Sequence, residues 1–146
     1  MINLSIFAER LDELIFENNL TQKQLAESTG VDVASVCRYL GGGCEPSLKA
    51  LIAIADYFKC STDFLLGLES ENKSHSFLPC GKFSDRVDVL IKQKGLTRYA
   101  FCKSAEISDS RFYDWRNGKH EPTVSSIVKI AKFLDCSVDY VLGREV

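Results

Sequence analysis

Only three prolines and two histidines occur in these 146 residues, and no apolar run approaches the length of a membrane span. The six cysteines, at 37, 44, 60, 80, 102 and 136, form no Cys-x-x-Cys pair, and His75 and His120 stand apart from one another. That spacing argues against a zinc site and against a disulfide framework, so no metal or other cofactor is expected. No glycine loop of the phosphate-binding kind occurs, and no Ser/His/Asp or Cys/His arrangement suggests a nucleophile, so an enzyme is not expected. Cys44 beside Glu45, and His120 beside Glu121, have no visible orienting partner. The N-terminus lacks a basic stretch followed by an apolar core, so no secretory leader is expected and a soluble, cytoplasmic protein is the default. Period-2 alternation is also missing, which removes strands from the expected menu.

What the chain does contain is itself, twice. A shift of 76 residues lays Phe7–Glu69 over Phe83–Glu145 without a gap. Identical pairs include Phe7/Phe83, Arg10/Arg86, Leu14/Leu90, Thr21/Thr97, Gly42/Gly118, Pro46/Pro122, Ala55/Ala131, Cys60/Cys136, Asp63/Asp139 and Gly67/Gly143. Two copies of one long period mean two small domains, because a solenoid needs at least about three stacked units. The expected division is residues 1–69, a linker over 70–82, and residues 83–146. Cys60 and Cys136 read as small buried hydrophobes.

Charge separates the copies. Residues 7–69 hold ten acids and five bases, whereas residues 83–146 hold nine acids and eleven bases. An overall charge of −2 conceals an acidic copy and a mildly basic one, so their tasks are expected to differ.

Each copy reads as five helices. Phe7, Leu11, Leu14 and Ile15, and again Phe83, Val87, Leu90 and Ile91, recur at helical spacing. Thr21 with Gln24 has capping-box spacing, and Thr97 caps the matching helix. Gly30 suits a tight turn, but its mate is Glu106, so the second turn cannot depend on glycine. Asp32 and Ser108 are good N-caps for a third helix that ends near Gly42 or Gly118. After Glu-Pro, Ser47 and Thr123 cap a fourth helix. Ser61 and Ser137 open a short fifth.

In this frame Thr21-Gln-Lys-Gln-Leu-Ala, Gly42-x-x-Glu-Pro, Leu51-x-x-Ile-Ala and Cys60-Ser-x-Asp-x-Leu-Leu-Gly67 resemble the phage repressor/Cro-like, or XRE-type, helix-turn-helix family. The second copy resembles it through Leu96-Thr, Ile107-Ser, Trp115-x-x-Gly-Lys, Glu121-Pro, Ile130-Ala and Cys136-Ser-Val-Asp-Tyr-Val-Leu-Gly143. The resemblance spans nearly all of both copies. It implies an all-α protein of two tandem five-helix helix-turn-helix domains of lambda-repressor-like type. It departs from the family at Gly41-Gly-Gly-Cys44, where a polar or basic loop is usual, and at Phe101-Cys102, where Leu-Ala is common.

The resemblance also implies double-stranded DNA as partner, with the third helix read into the major groove. By position the readers would be Val33, Ala34, Ser35 and Arg38 in the first copy, and Asp109, Ser110, Arg111 and Asp114 in the second. Phosphate contacts would fall to Gln22 and Lys23, and to Arg98 and Tyr99, at the start of the second helix. Asn117 and Lys119 in the following loop would add to them. Each assignment has a plainer counterpart. Arg38 suits guanine or is a solvated helix charge; Val33 and Ala34 suit thymine methyls or are simply exposed. Asp109 and Asp114 suit cytosine but repel phosphate, and Asp109 also suits a helix N-terminus. Trp115, whose mate is Tyr39, reads as core.

Two functional classes follow. One is a DNA-binding transcriptional regulator with two reading modules. The other keeps DNA contact in one copy and makes the acidic N-terminal copy a surface for a homodimer or a protein partner. The thirteen linker residues span about 20 Å if flexible and about 45 Å fully stretched, so one chain can act as a pseudo-dimer on adjacent grooves. Within the linker, Phe77 and Leu78 are candidates for docking onto a domain.

Overall fold

The structure, a computed structural model, describes residues 3–71 and 77–145. Among the described residues every regular element is helical. The chain divides into two compact units, residues 2–77 and residues 78–146. The sequence reading of residues 72–76 as part of a flexible linker lies outside the described residues.

The first unit is built of α1 (Leu4–Glu17), α2 (Gln22–Thr29), α3 (Val33–Leu40), α4 (Leu48–Phe58) and α5 (Thr62–Leu65). Helix α1 begins earlier than its apolar period suggests, because the Asn3 side chain accepts the Ile6 N–H. Both halves of the expected capping box form at α2: Thr21 Oγ1 accepts the Gln24 N–H at 3.1 Å, and Gln24 Oε1 accepts the Thr21 N–H at 2.9 Å. One expected cap is absent. Asp32 stands at the N-cap of α3 but its side chain makes no capping bond. The core is a single apolar cluster of Phe7, Leu11, Leu25, Val36, Leu51, Ile54, Cys60, Leu65 and Leu66, with Tyr39 meeting Phe7 edge-on at 5.9 Å.

The second unit repeats the plan with α6 (Phe83–Gln93), α7 (Arg98–Ser104), α8 (Asp109–Arg116), α9 (Val124–Leu134) and α10 (Val138–Leu142). Trp115 is buried and meets Phe83 edge-on at 5.7 Å, the counterpart of Tyr39 on Phe7. Ser108 does cap α8, accepting the Arg111 N–H. Cys136, unlike its buried mate Cys60, is only partly covered, at a cleft between the ends of α6 and α9 and the start of α10. Leu78 docks through its backbone: its N–H donates to the Arg144 carbonyl at 2.7 Å, while its side chain stays exposed.

One repeated residue locks each unit. Arg10 donates to the carbonyls of Phe64 and Glu69 and lies 4.1 Å over the Phe64 ring. Its mate Arg86 donates twice to the Tyr140 carbonyl, at 2.7 and 3.2 Å, and lies 4.9 Å from the Tyr140 ring centroid. A charged donor thus fills the open carbonyl end of the short last helix and ties it to the first. This fastening sets the frame on which the middle helices are carried.

Candidate nucleic-acid interface

In each unit the second and third helices meet across a tight turn, with their buried faces set by Leu25, Ala26, Val36 and Tyr39 or by Phe101, Cys102, Phe112 and Trp115. What remains on the outer side is the N-terminal half of the third helix and the start of the second. Helix N-termini carry unsatisfied N–H groups and a partial positive charge, so this end of the motif suits anionic backbone.

In the first unit Gln22 and Lys23 are exposed at the start of α2. Val33, Ala34, Cys37 and Arg38 are exposed on α3, and Ser35 is half-buried. Arg38 and Ser35 come together, with the guanidinium donating to Ser35 Oγ at 3.0 Å across one helical turn. The Arg38 head is therefore directed along the helix toward its N-terminal, outward end. Gly41 and Gly43 leave the following loop without cations.

The second unit places different chemistry at the same positions. Tyr99 is 67% exposed at the start of α7, and Asp109, Ser110 and Arg111 are exposed at the start of α8. Ser110 and Ser108 lie hydroxyl to hydroxyl at 3.4 Å. Asp114 is half-buried, and its carbonyl accepts the Lys119 N–H at 2.9 Å while Gly118 N–H reaches Trp115. This is the paired closure of a Schellman end, and it leaves Asn117 and Lys119 exposed just beyond the helix. Arg116 turns away from the face into an exposed ion pair with Asp88 of α6 at 3.4 Å.

Arg98 is the least freely solvated cation of the set. Its guanidinium lies 4.4 Å from the Tyr113 ring centroid and 6.0 Å from that of Phe112. The Tyr113 hydroxyl, as hydrogen-bond partner, raises the Arg98 pKa above its ordinary value, with smaller help from the Asp109 charge. Behind it, burial pushes the Cys102 thiol up, with Asp109 adding to the shift and Arg98 opposing it. Among the described residues no group of His, Cys, Asp and Glu has the makings of a metal site, and no helix is long and apolar enough to cross a membrane.

Two exposed residues of the third helices escaped the sequence reading: Cys37 and its mate Tyr113, 48% exposed. The period of the helix held the signal, since 33, 34, 37 and 38 lie on one strip when 36 and 39 face inward.

The pattern of known families agrees with this geometry. A model described as a Cro/C1-type helix-turn-helix DNA-binding domain matches residues 86–145, and a model described as helix-turn-helix matches residues 12–65. Residues 86–145 are a Cro/C1-type helix-turn-helix domain, and residues 12–65 are a second helix-turn-helix domain in tandem with it. Proteins similar to part of this chain include a helix-turn-helix-type transcriptional activator, BcrR, of Enterococcus faecalis, 33% identical over 76 residues, which covers 47% of this chain and 37% of that protein. Two regulators of Bacillus subtilis, YobD and YqaE, are 32% and 34% identical over 66 and 68 residues. Those matches cover 45% and 47% of this chain and 59% of each relative. The chain thus spans less than two thirds of the length of the curated relatives it matches. No solved structure gives a significant match.

Proposed function

We propose that this protein is a DNA-binding transcriptional regulator whose two helix-turn-helix modules, residues 1–69 and 83–146, both face the duplex. The observation that carries the reading is the repeated pair of helices with its outer strip left exposed: Val33, Ala34, Cys37 and Arg38 on α3, and Asp109, Ser110 and Arg111 on α8. Apolar and small residues at the head of α3 suit thymine methyls, and Arg38 suits the paired acceptors of guanine. In the second module Arg111 plays the guanine-reading part, with Ser110 adaptable and Asp109 and Asp114 suited to the cytosine amino group. Gln22, Lys23, Arg98, Tyr99, Asn117 and Lys119 hold the phosphates. Because the two strips differ residue by residue, the site on DNA is asymmetric. One chain supplies both modules, so the second contact forms at a high effective concentration. A cytoplasmic location suits this role.

The test is a selection of duplexes from a random-sequence pool by the full chain, followed by affinity measurement on the enriched duplex. Arg38→Ala is expected to weaken binding by about 1–3 kcal/mol and to relax preference at one base pair. No enriched duplex, or an Arg38→Ala variant with wild-type affinity and preference, defeats this reading.

A further inference from the structure

Arg98 and Tyr113 sit on different helices, α7 and α8, and the sequence separates them by fifteen positions. Their mates in the first unit are Gln22 and Cys37, which have neither a charge nor a ring to form such a pair. Only the second unit therefore combines a guanidinium at the phosphate-facing end of one helix with an aromatic ring on the reading helix. We propose that Tyr113 is the positioning residue of the second module's DNA interface, holding the Arg98 guanidinium in a fixed direction at the junction of α7 and α8. The inference rests on the regulator reading above and deepens it.

The physical case has three parts. A free arginine on a helix surface samples many rotamers, and ordering it on binding costs side-chain entropy. Stacking on Tyr113, with Phe112 beneath, restricts the guanidinium before DNA arrives. Asp109 is the competing partner, because its carboxylate acts on Arg98 from the head of α8. A guanidinium drawn fully to Asp109 would be a poorer phosphate ligand, and the ring offers a seat that leaves its N–H edge available. Tyr113 is also 48% exposed on α8, so it is available to line the groove while it holds the cation.

The consequence is a coupling between phosphate contact and base reading that the first module lacks. A displacement of α8 moves the seat of Arg98 with it. Replacement of Tyr113 therefore damages a charge contact without removing any charge.

The experiment uses the full chain and the duplex enriched by it, with a scrambled duplex as reference, in a double-mutant cycle. Tyr113→Ala and Arg98→Ala are each expected to weaken binding by about tenfold, and the double variant to lose little beyond either one. Both single variants should also flatten the dependence of log affinity on log salt by about 0.9, the signature of one lost phosphate contact. Tyr113→Phe keeps the ring and should fall by only about two- to threefold. Circular dichroism establishes that helix content is unchanged. Should Tyr113→Ala lose helix, the cycle of Tyr113→Leu with Arg98→Ala, which removes the ring but keeps a strong helix former, carries the same comparison. Fold-changes that multiply in the double variant, or a Tyr113→Ala salt slope equal to wild type, overturn the proposal. A wild-type chain that enriches no duplex overturns the regulator reading instead.

Discussion

Between α2 and α3 the chain turns on Gly30 at φ 75°, and at the matching place between α7 and α8 it turns on Glu106 at φ 58°. Glycine adopts that left-handed conformation without a steric penalty, whereas a side chain bears about 1–2 kcal/mol for it. The second unit accepts the cost because Ile107 and Phe112 beyond the turn are buried, and they can be buried only if the turn keeps its shape. Tertiary packing here overrides local preference. The outer strips show the opposite behaviour. There Gln22, Lys23 and Cys37 of the first copy stand where the second has Arg98, Tyr99 and Tyr113, and five of these six are exposed. A constrained backbone with an unconstrained face is what lets one fold carry two reading surfaces.

The largest break in the comparison lies at the end of each unit. Arg144 is fully buried and donates to Asp139 at 2.5 Å, while its mate Leu68 is exposed. Arg144→Ala is expected to destabilise the second unit by about 3–5 kcal/mol, because it leaves the buried Asp139 carboxylate without that cation. Leu68→Ala should change the first unit by no more than about 0.5 kcal/mol. Trp115, the single tryptophan, sits in the core of the second unit, so its fluorescence during urea unfolding reports that unit. Circular dichroism reports both. Equal small shifts for the two variants would mean that the ion pair is dispensable.

A smaller effect has opposite signs in the two turns. Gly30→Ala should destabilise by about 1 kcal/mol for conformational reasons alone, since an added Cβ meets nothing within 4 Å. Glu106→Gly should stabilise by a similar amount, about 1 kcal/mol, by relieving the left-handed strain. Urea midpoints moving in the same direction would defeat the account of the turn.

The smallest contrast concerns the caps of the reading helices. Ser108→Ala removes a formed capping bond and should cost about 1 kcal/mol. Asp32→Ala removes no such bond and should cost only the favourable charge at the helix N-terminus, about 0.3–0.5 kcal/mol. Hydrogen exchange of the first-turn amides of α3 and α8 measures both.

Much of this was legible before any coordinates. Thr21 with Gln24, Ser47, Ser61, Thr97, Thr123 and Ser137 are capping residues whose partners lie three positions away, so local sequence suffices to identify them. The burial of Val36, Tyr39, Phe112 and Trp115 follows from helical period in the same way. The candidate strip on α3 and α8 was legible by position, but its membership was not complete, because exposure of Cys37 and Tyr113 depends on how each helix is rotated against its neighbours.

The sequence by itself therefore determined the two-fold repeat, the helices and their apolar faces, since these depend on residues within about one helical turn of each other. Only the tertiary structure decided where the long cationic side chains go. Arg10 and Arg86 close the last helices, Arg116 is taken by Asp88, Arg144 by Asp139, and Arg98 rests on Tyr113. A flexible arginine has several partners within reach of its stem, and which one it meets is set by helices brought together from distant parts of the chain.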